Sequence, residues 1–110
     1  METKKLNIII ETGFDFVMPI TLYDYNNAVM DLTGSYAEAS LRQYPEAKDS
    51  FPFETTHNNS GGRITLKMPH YITEEIPFSS GVYDVKVTFP NGRRFHALHG
   101  EAVIISGVTR

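Results

Sequence analysis

Gly81 to Ile105, GVYDVKVTFPNGRRFHALHGEAVII, decides how this chain folds. Two strand-like runs flank Pro90-Asn91-Gly92. A tight Asn91-Gly92 loop would make Pro90 and Arg93 the closing hydrogen-bonded pair, and Pro90 has no N–H to give. A loop of Pro90, Asn91 and Gly92 fits instead. Pro90 pre-sets φ for the first corner of a type I turn, Asn91 takes the second, and Gly92 takes the left-handed bulge position. Counting outward pairs Phe89 with Arg93, Val87 with Phe95, and Val85 with Ala97 on one face, and Lys86 with His96 on the other. Turn chemistry and hydrophobic alternation thus select the same register.

Further upstream, Phe14 to Tyr23 alternates, with Phe14, Phe16, Met18, Ile20 and Leu22 on one face. Pro19 places this strand at a sheet edge or marks a bulge. Leu6 to Ile10 is apolar and β-branched and reads as a buried first strand, closed by a turn at Glu11-Thr12-Gly13. Asn26-Asn27 marks a turn, and Leu32 plugs the core. Ser35 to Tyr44 alternates around Ala37, Ala39 and Leu41. Its helix propensity is reasonable, but turns on both flanks favour a strand. Pro45 to Ser50 is a charged loop, and Phe51, Phe53 and Thr55 share one face of a short strand. His57 to Gly62 is a loop, and Arg63 to Met68 turns Ile64, Leu66 and Met68 inward. His70 to Ile76 reads as one helical turn between Pro69 and Pro77.

Seven to eight short strands in one domain, residues 1–110, predict an all-β fold, an antiparallel immunoglobulin-like β-sandwich with at most one short helical turn near 70–76. Tyr83, just inside the penultimate strand, stands either as the tyrosine corner of such sandwiches or as a large, half-buried strand residue. The inward face of residues 101–106 stays open: Ala102 and Ile104, or Val103 and Ile105.

Composition excludes several classes of function. The chain has 110 residues, a net charge of −3 and no basic block, which argues against a general nucleic-acid surface. Cysteine is absent, so disulfides and thiolate metal sites are ruled out. No apolar run approaches a membrane span, and no signal-peptide pattern follows Met1. Met1 and Thr109-Arg110 read as the ends of a complete small reading frame.

No catalytic set emerges. His96 and His99 are three apart on a strand and point to opposite faces unless a bulge at Gly100 intervenes, which is poor metal-ligand spacing. Asp24 and Asp31 do not match a calcium loop, and Glu74-Glu75 reads as the acidic start of a helical turn. There is no G-x-S-x-G and no phosphate-binding loop. No enzyme and no cofactor are expected. Lys86, Arg93, Arg94 and His96 form a small positive patch, read either as solvated charge that guards an edge or as a contact to an acidic partner. With Val103 and Ile105 of the last strand, these residues make up the candidate protein interface. The scattered Tyr23, Tyr25, Tyr36, Tyr44 and Tyr71 would serve a sugar-binding module if they lined up.

Asp31-Leu32-Thr33-Gly34, Gly62-Arg63-Ile64-Thr65-Leu66, Gly81-Val82-Tyr83-Asp84-Val85 with Pro90-Asn91-Gly92, and the close at Gly107-Val108-Thr109-Arg110 form a pattern. It resembles the small β-sandwich virion proteins of tailed bacteriophages and is similar to the N-terminal domain of phage baseplate upper proteins. The resemblance implies a non-enzymatic scaffold or adaptor in tail, baseplate, fibre or head. Its partners would be other virion proteins, in a multi-copy assembly built in the host cytoplasm, with no nucleic acid or membrane bound. A carbohydrate-binding or capsid-decorating immunoglobulin-like module is the alternative.

Overall fold

The structure is a computed structural model that describes residues 4–58 and 61–107. Its strands are β1 (Lys4–Lys5), β2 (Ile8–Thr12), β3 (Phe16–Thr21), β4 (Tyr36–Arg42), β5 (Phe51–Asn58), β6 (Arg63–Met68), β7 (Ser80–Thr88) and β8 (Arg94–Ser106). One short helix, α1 (His70–Thr73), lies between β6 and β7. Strand order is β1-β8-β7-β4-β5-β6-β3, with β2 also on β8, in one mixed sheet that curls into a half-barrel.

The hairpin forms with the expected loop. The Phe89 N–H donates to the Arg93 carbonyl at 2.9 Å, the Gly92 N–H returns to Phe89 at 2.9 Å, and Gly92 has φ 85°. Val87 faces Phe95 and Lys86 faces His96, as the turn predicts. The register then shifts. Val85 pairs with Leu98 rather than Ala97, so Ala97 is the extra residue of a β-bulge. Ala97 and Leu98 are both buried, and every later residue of β8 changes face. The bulge lies here and not at Gly100. It turns Ala102 and Ile104 inward and leaves Val103 and Ile105 outside.

Antiparallel pairing does not hold throughout. β1 and β2 run parallel to β8, with Lys5 beside His99 and Ile8 beside Ala102. The expected buried strand Leu6–Ile10 is therefore a half-buried edge: Ile8 and Ile10 enter the core, whereas Leu6 and Ile9 are exposed. β8 is consequently an interior strand and offers no free edge of its own.

β5 turns the corner between the two layers. Phe51 to Phe53 pair with Leu41 to Ala39 of β4, and Glu54 to Asn58 pair with Lys67 to Arg63 of β6. Where β4 and β5 diverge, the Thr55 hydroxyl donates to the Ala37 carbonyl at 2.8 Å. The strand reaches Asn58, past the expected start of the loop, and Asn59 and Ser60 of that loop lie outside the described residues. So do Met1 to Thr3 and Val108 to Arg110, which take the chain start and most of the close with them.

The core follows the alternation. Ile64, Leu66 and Met68 of β6 are buried opposite Phe16, Met18 and Ile20 of β3. Val85 and Val87 of β7 and Ala39 and Leu41 of β4 close the other side. Full burial of such a side chain contributes about 1.5–3 kcal/mol. β3 ends the strand path, so Pro19 sits on an edge as expected. Leu32 is buried. Asn27, at φ 62°, makes the expected turn, held by the Asp24 carboxylate accepting from the N–H groups of Asn26 at 2.8 Å and Ala28 at 3.0 Å.

Tyr83 makes no tyrosine corner. Its hydroxyl donates to the Leu6 carbonyl at 2.5 Å, far away in sequence, rather than to backbone a few residues upstream.

Candidate functional site

Paired residues of adjacent strands share a face, so the registers define the outer face of β4, β7 and β8. Tyr36, Thr88 and Arg94 form one row at the hairpin tip, followed by Glu38, Lys86 and His96. Ser40, Asp84, His99 and Lys5 come next, and then Arg42, Val82 and Glu101. The far end is apolar, with Ile9 beside Val103 and Ile105 beside Glu11. Ile9 is 63% exposed, Val103 46% and Ile105 42%. β8 has thirteen residues, so this face runs roughly 40 Å at ~3.3 Å per residue, close to the 43 Å long axis of the molecule.

A groove of about 640 Å³ crosses its middle, lined by Lys5, Arg42, Asp84, His96, His99 and Glu101 among others. His96 Nε2 lies 3.1 Å from Asp84 Oδ2. The Arg42 guanidinium donates to the Ala47 carbonyl and ties the end of β4 to the following loop. The Ala97 bulge brings His96 and His99 to this one face, against the expectation of opposite faces. Even so, among the described residues no group of three His, Cys, Asp or Glu side chains could hold a metal ion.

Of the six interface candidates, Lys86, Arg94, His96, Val103 and Ile105 share the outer face. Arg94 Nε donates to Thr88 Oγ1 at 3.3 Å, laying the side chain across the sheet. Arg93 goes to the other side of the tip, its guanidinium 5.8 Å from the centre of the Phe95 ring. The sequence reading missed Ile9, because the parallel partner of β2 has no hairpin to announce it.

Asp15, Asp24 and Asp31 have structural partners. Asp15 Oδ1 accepts from the His70 N–H at 2.7 Å and lies 2.9 Å from His70 Nδ1. The backbone bond above all, then the ring contact, holds its carboxyl below the ordinary value of 3.8. Asp31 accepts from the Thr33 hydroxyl at 2.7 Å and the Thr33 N–H at 3.0 Å, and its carboxyl is lowered by those two bonds. Glu74 and Glu75 follow α1 instead of starting it, so they do not supply the acidic first turn that was expected.

The five candidate tyrosines are all exposed: Tyr23 and Tyr25 on the connection between β3 and β4, Tyr36 on β4, Tyr44 after β4 and Tyr71 on α1. Among the described residues no ring contact joins any two of them. Lys4 Nζ lies 5.3 Å from the ring centre of Tyr23. No family model matches the chain, and no curated protein is significantly similar to it.

Proposed function

We propose that this chain is a non-enzymatic structural component of a tailed-bacteriophage virion. It acts as an adaptor whose sheet face binds a neighbouring subunit in tail, baseplate or fibre, in several copies per particle. The observation that carries this reading is the outer face of β4, β7 and β8. It combines a basic tip, a charged middle and an exposed apolar end along the whole molecule. An exposed apolar patch rimmed by polar residues is characteristic of a protein contact. The virion assignment itself rests on the sequence resemblance.

The immunoglobulin-like reading is part of the proposal. The order β8-β7-β4-β5 follows the G-F-C-C′ sheet of variable-type domains, and β3 with β6 takes the place of the B–E pair. β5, which pairs with both β4 and β6, makes the sheets continuous where a simple sandwich keeps them apart, and the β2–β8 pair is parallel.

Cross-linking with mass spectrometry on purified particles tests the assignment. The expected result is the chain within the particle, with cross-links from Lys86 to a different virion protein. Particles that lack the chain, or cross-links that avoid this face, overturn it.

A further inference from the structure

We infer that the free edge formed by β1 and β2 joins two copies of this chain, paired antiparallel about Ile8. The inference goes beyond the virion reading and does not depend on it. The sheet leaves two edges, β3 and β1–β2. Pro19 blunts the first, since it has no N–H to offer an incoming strand. The second has no proline; its charged residues are Lys4, Lys5 and Glu11, and lysines on an edge repel a strand that offers them no acidic partner. Lys4 to Thr12 keeps one register against β8, from Lys4 beside Leu98 to Thr12 beside Ser106.

The Leu6 N–H donates to the His99 carbonyl at 2.9 Å. Backbone groups alternate sides along a strand, so those of Lys5, Asn7, Ile9 and Glu11 face the open side. This edge reads KKLNIIIET, basic at one end, apolar in the middle and acidic at the other. Antiparallel pairing centred on Ile8 sets Lys5 opposite Glu11 of the second copy, and Asn7 opposite its Ile9. All four belong to the set whose backbone faces outward, so both pairs exchange hydrogen bonds, while Ile8 meets its own copy as a non-hydrogen-bonded pair.

Lys5 and Glu11 are exposed, both on the outer face, and among the described residues neither is in an ion pair. The match occurs twice by symmetry, as an isologous contact requires. A slip of one residue sets inward against outward side chains. A slip of two moves Lys5 off Glu11. Charge complementarity, backbone alternation and side-chain facing therefore select one register and one occupant, a second copy.

Sedimentation equilibrium of the full chain tests this. The expected result is a monomer–dimer equilibrium. Lys5→Glu or Glu11→Lys, each placing like charges opposite one another twice, weakens it about tenfold, and the double exchange restores it. Amide exchange at Asn7 and Ile9 slows as concentration rises. Because both charged side chains are exposed, the variants keep the fold, which circular dichroism checks. A monomer at every concentration overturns the inference, as does a dimer indifferent to these charges or one that leaves Asn7 and Ile9 unprotected.

Discussion

The hydroxyl of Tyr83 donates to the carbonyl of Leu6 at 2.5 Å and so fastens the amino-terminal edge to the core. The Tyr83 ring is buried, edge-on to Phe53 with centroids 6.2 Å apart. Tyr83→Phe keeps the packing and removes the donor. Urea denaturation should show a loss of about 0.5–1.5 kcal/mol, the net contribution of a typical hydrogen bond. Amide exchange should accelerate first in β1 and β2.

Burial pushes the Tyr83 hydroxyl up to about 12, since the phenolate would be poorly solvated there. The folded value lies above the unfolded one. The contribution to stability is therefore whole below about pH 10 and is lost as pH rises towards 12. Phenolate absorbance should show one of the six tyrosines ionising near 12 in the folded chain, and Tyr83→Phe should remove that step.

Gly100 faces Tyr83 across β7 and β8, and a Cβ there would run into the Leu6 carbonyl. The neighbour is backbone and has no rotamer to change. Gly100→Ala should destabilise by about 1–3 kcal/mol, as overpacking does. In the double variant with Tyr83→Phe the two losses should fall short of their sum, because both act on the seat of Leu6. A thermodynamic cycle measures this.

Asp15 joins the start of β3 to α1 through His70. Its folded carboxyl titrates below the ordinary value, so its stabilising contribution is present above about 3.8 and is lost as pH falls through the lower folded value. Carboxyl NMR titration should place Asp15 below that ordinary value. Asp15→Asn should weaken protection in α1 and flatten the acid limb of the stability profile.

Much of this fold is legible residue by residue. Pro90-Asn91-Gly92 states its loop, because Pro90 lacks a donor and Gly92 tolerates φ 85°. Phe16, Met18 and Ile20 state their face, as do Ile64, Leu66 and Met68. The Ala97 bulge is not legible: Ala97 and Leu98 are both apolar, so either fits inward and alternation alone does not choose. That single residue decides which of Val103 and Ala102 meets solvent, and hence where the candidate site ends. The parallel seat of β2 escaped for a different reason, since pairing between distant segments leaves no turn to read. Of the site, Lys86, His96, Val103 and Ile105 were legible as candidates, whereas Ile9 and the groove between them depend on that unseen pairing.

The central claim is that the outer face of β8 and its neighbours holds this chain in a virion. The direct measurement compares incorporation of the wild type with that of a Lys86→Glu, Val103→Glu variant into particles, scored by sedimentation and immunoblotting. Both changed residues are on the surface, so the variant should fold and remain soluble. The account predicts that the wild type sediments with particles and the variant stays behind. Equal incorporation of both, or absence of the wild type from particles, would contradict it.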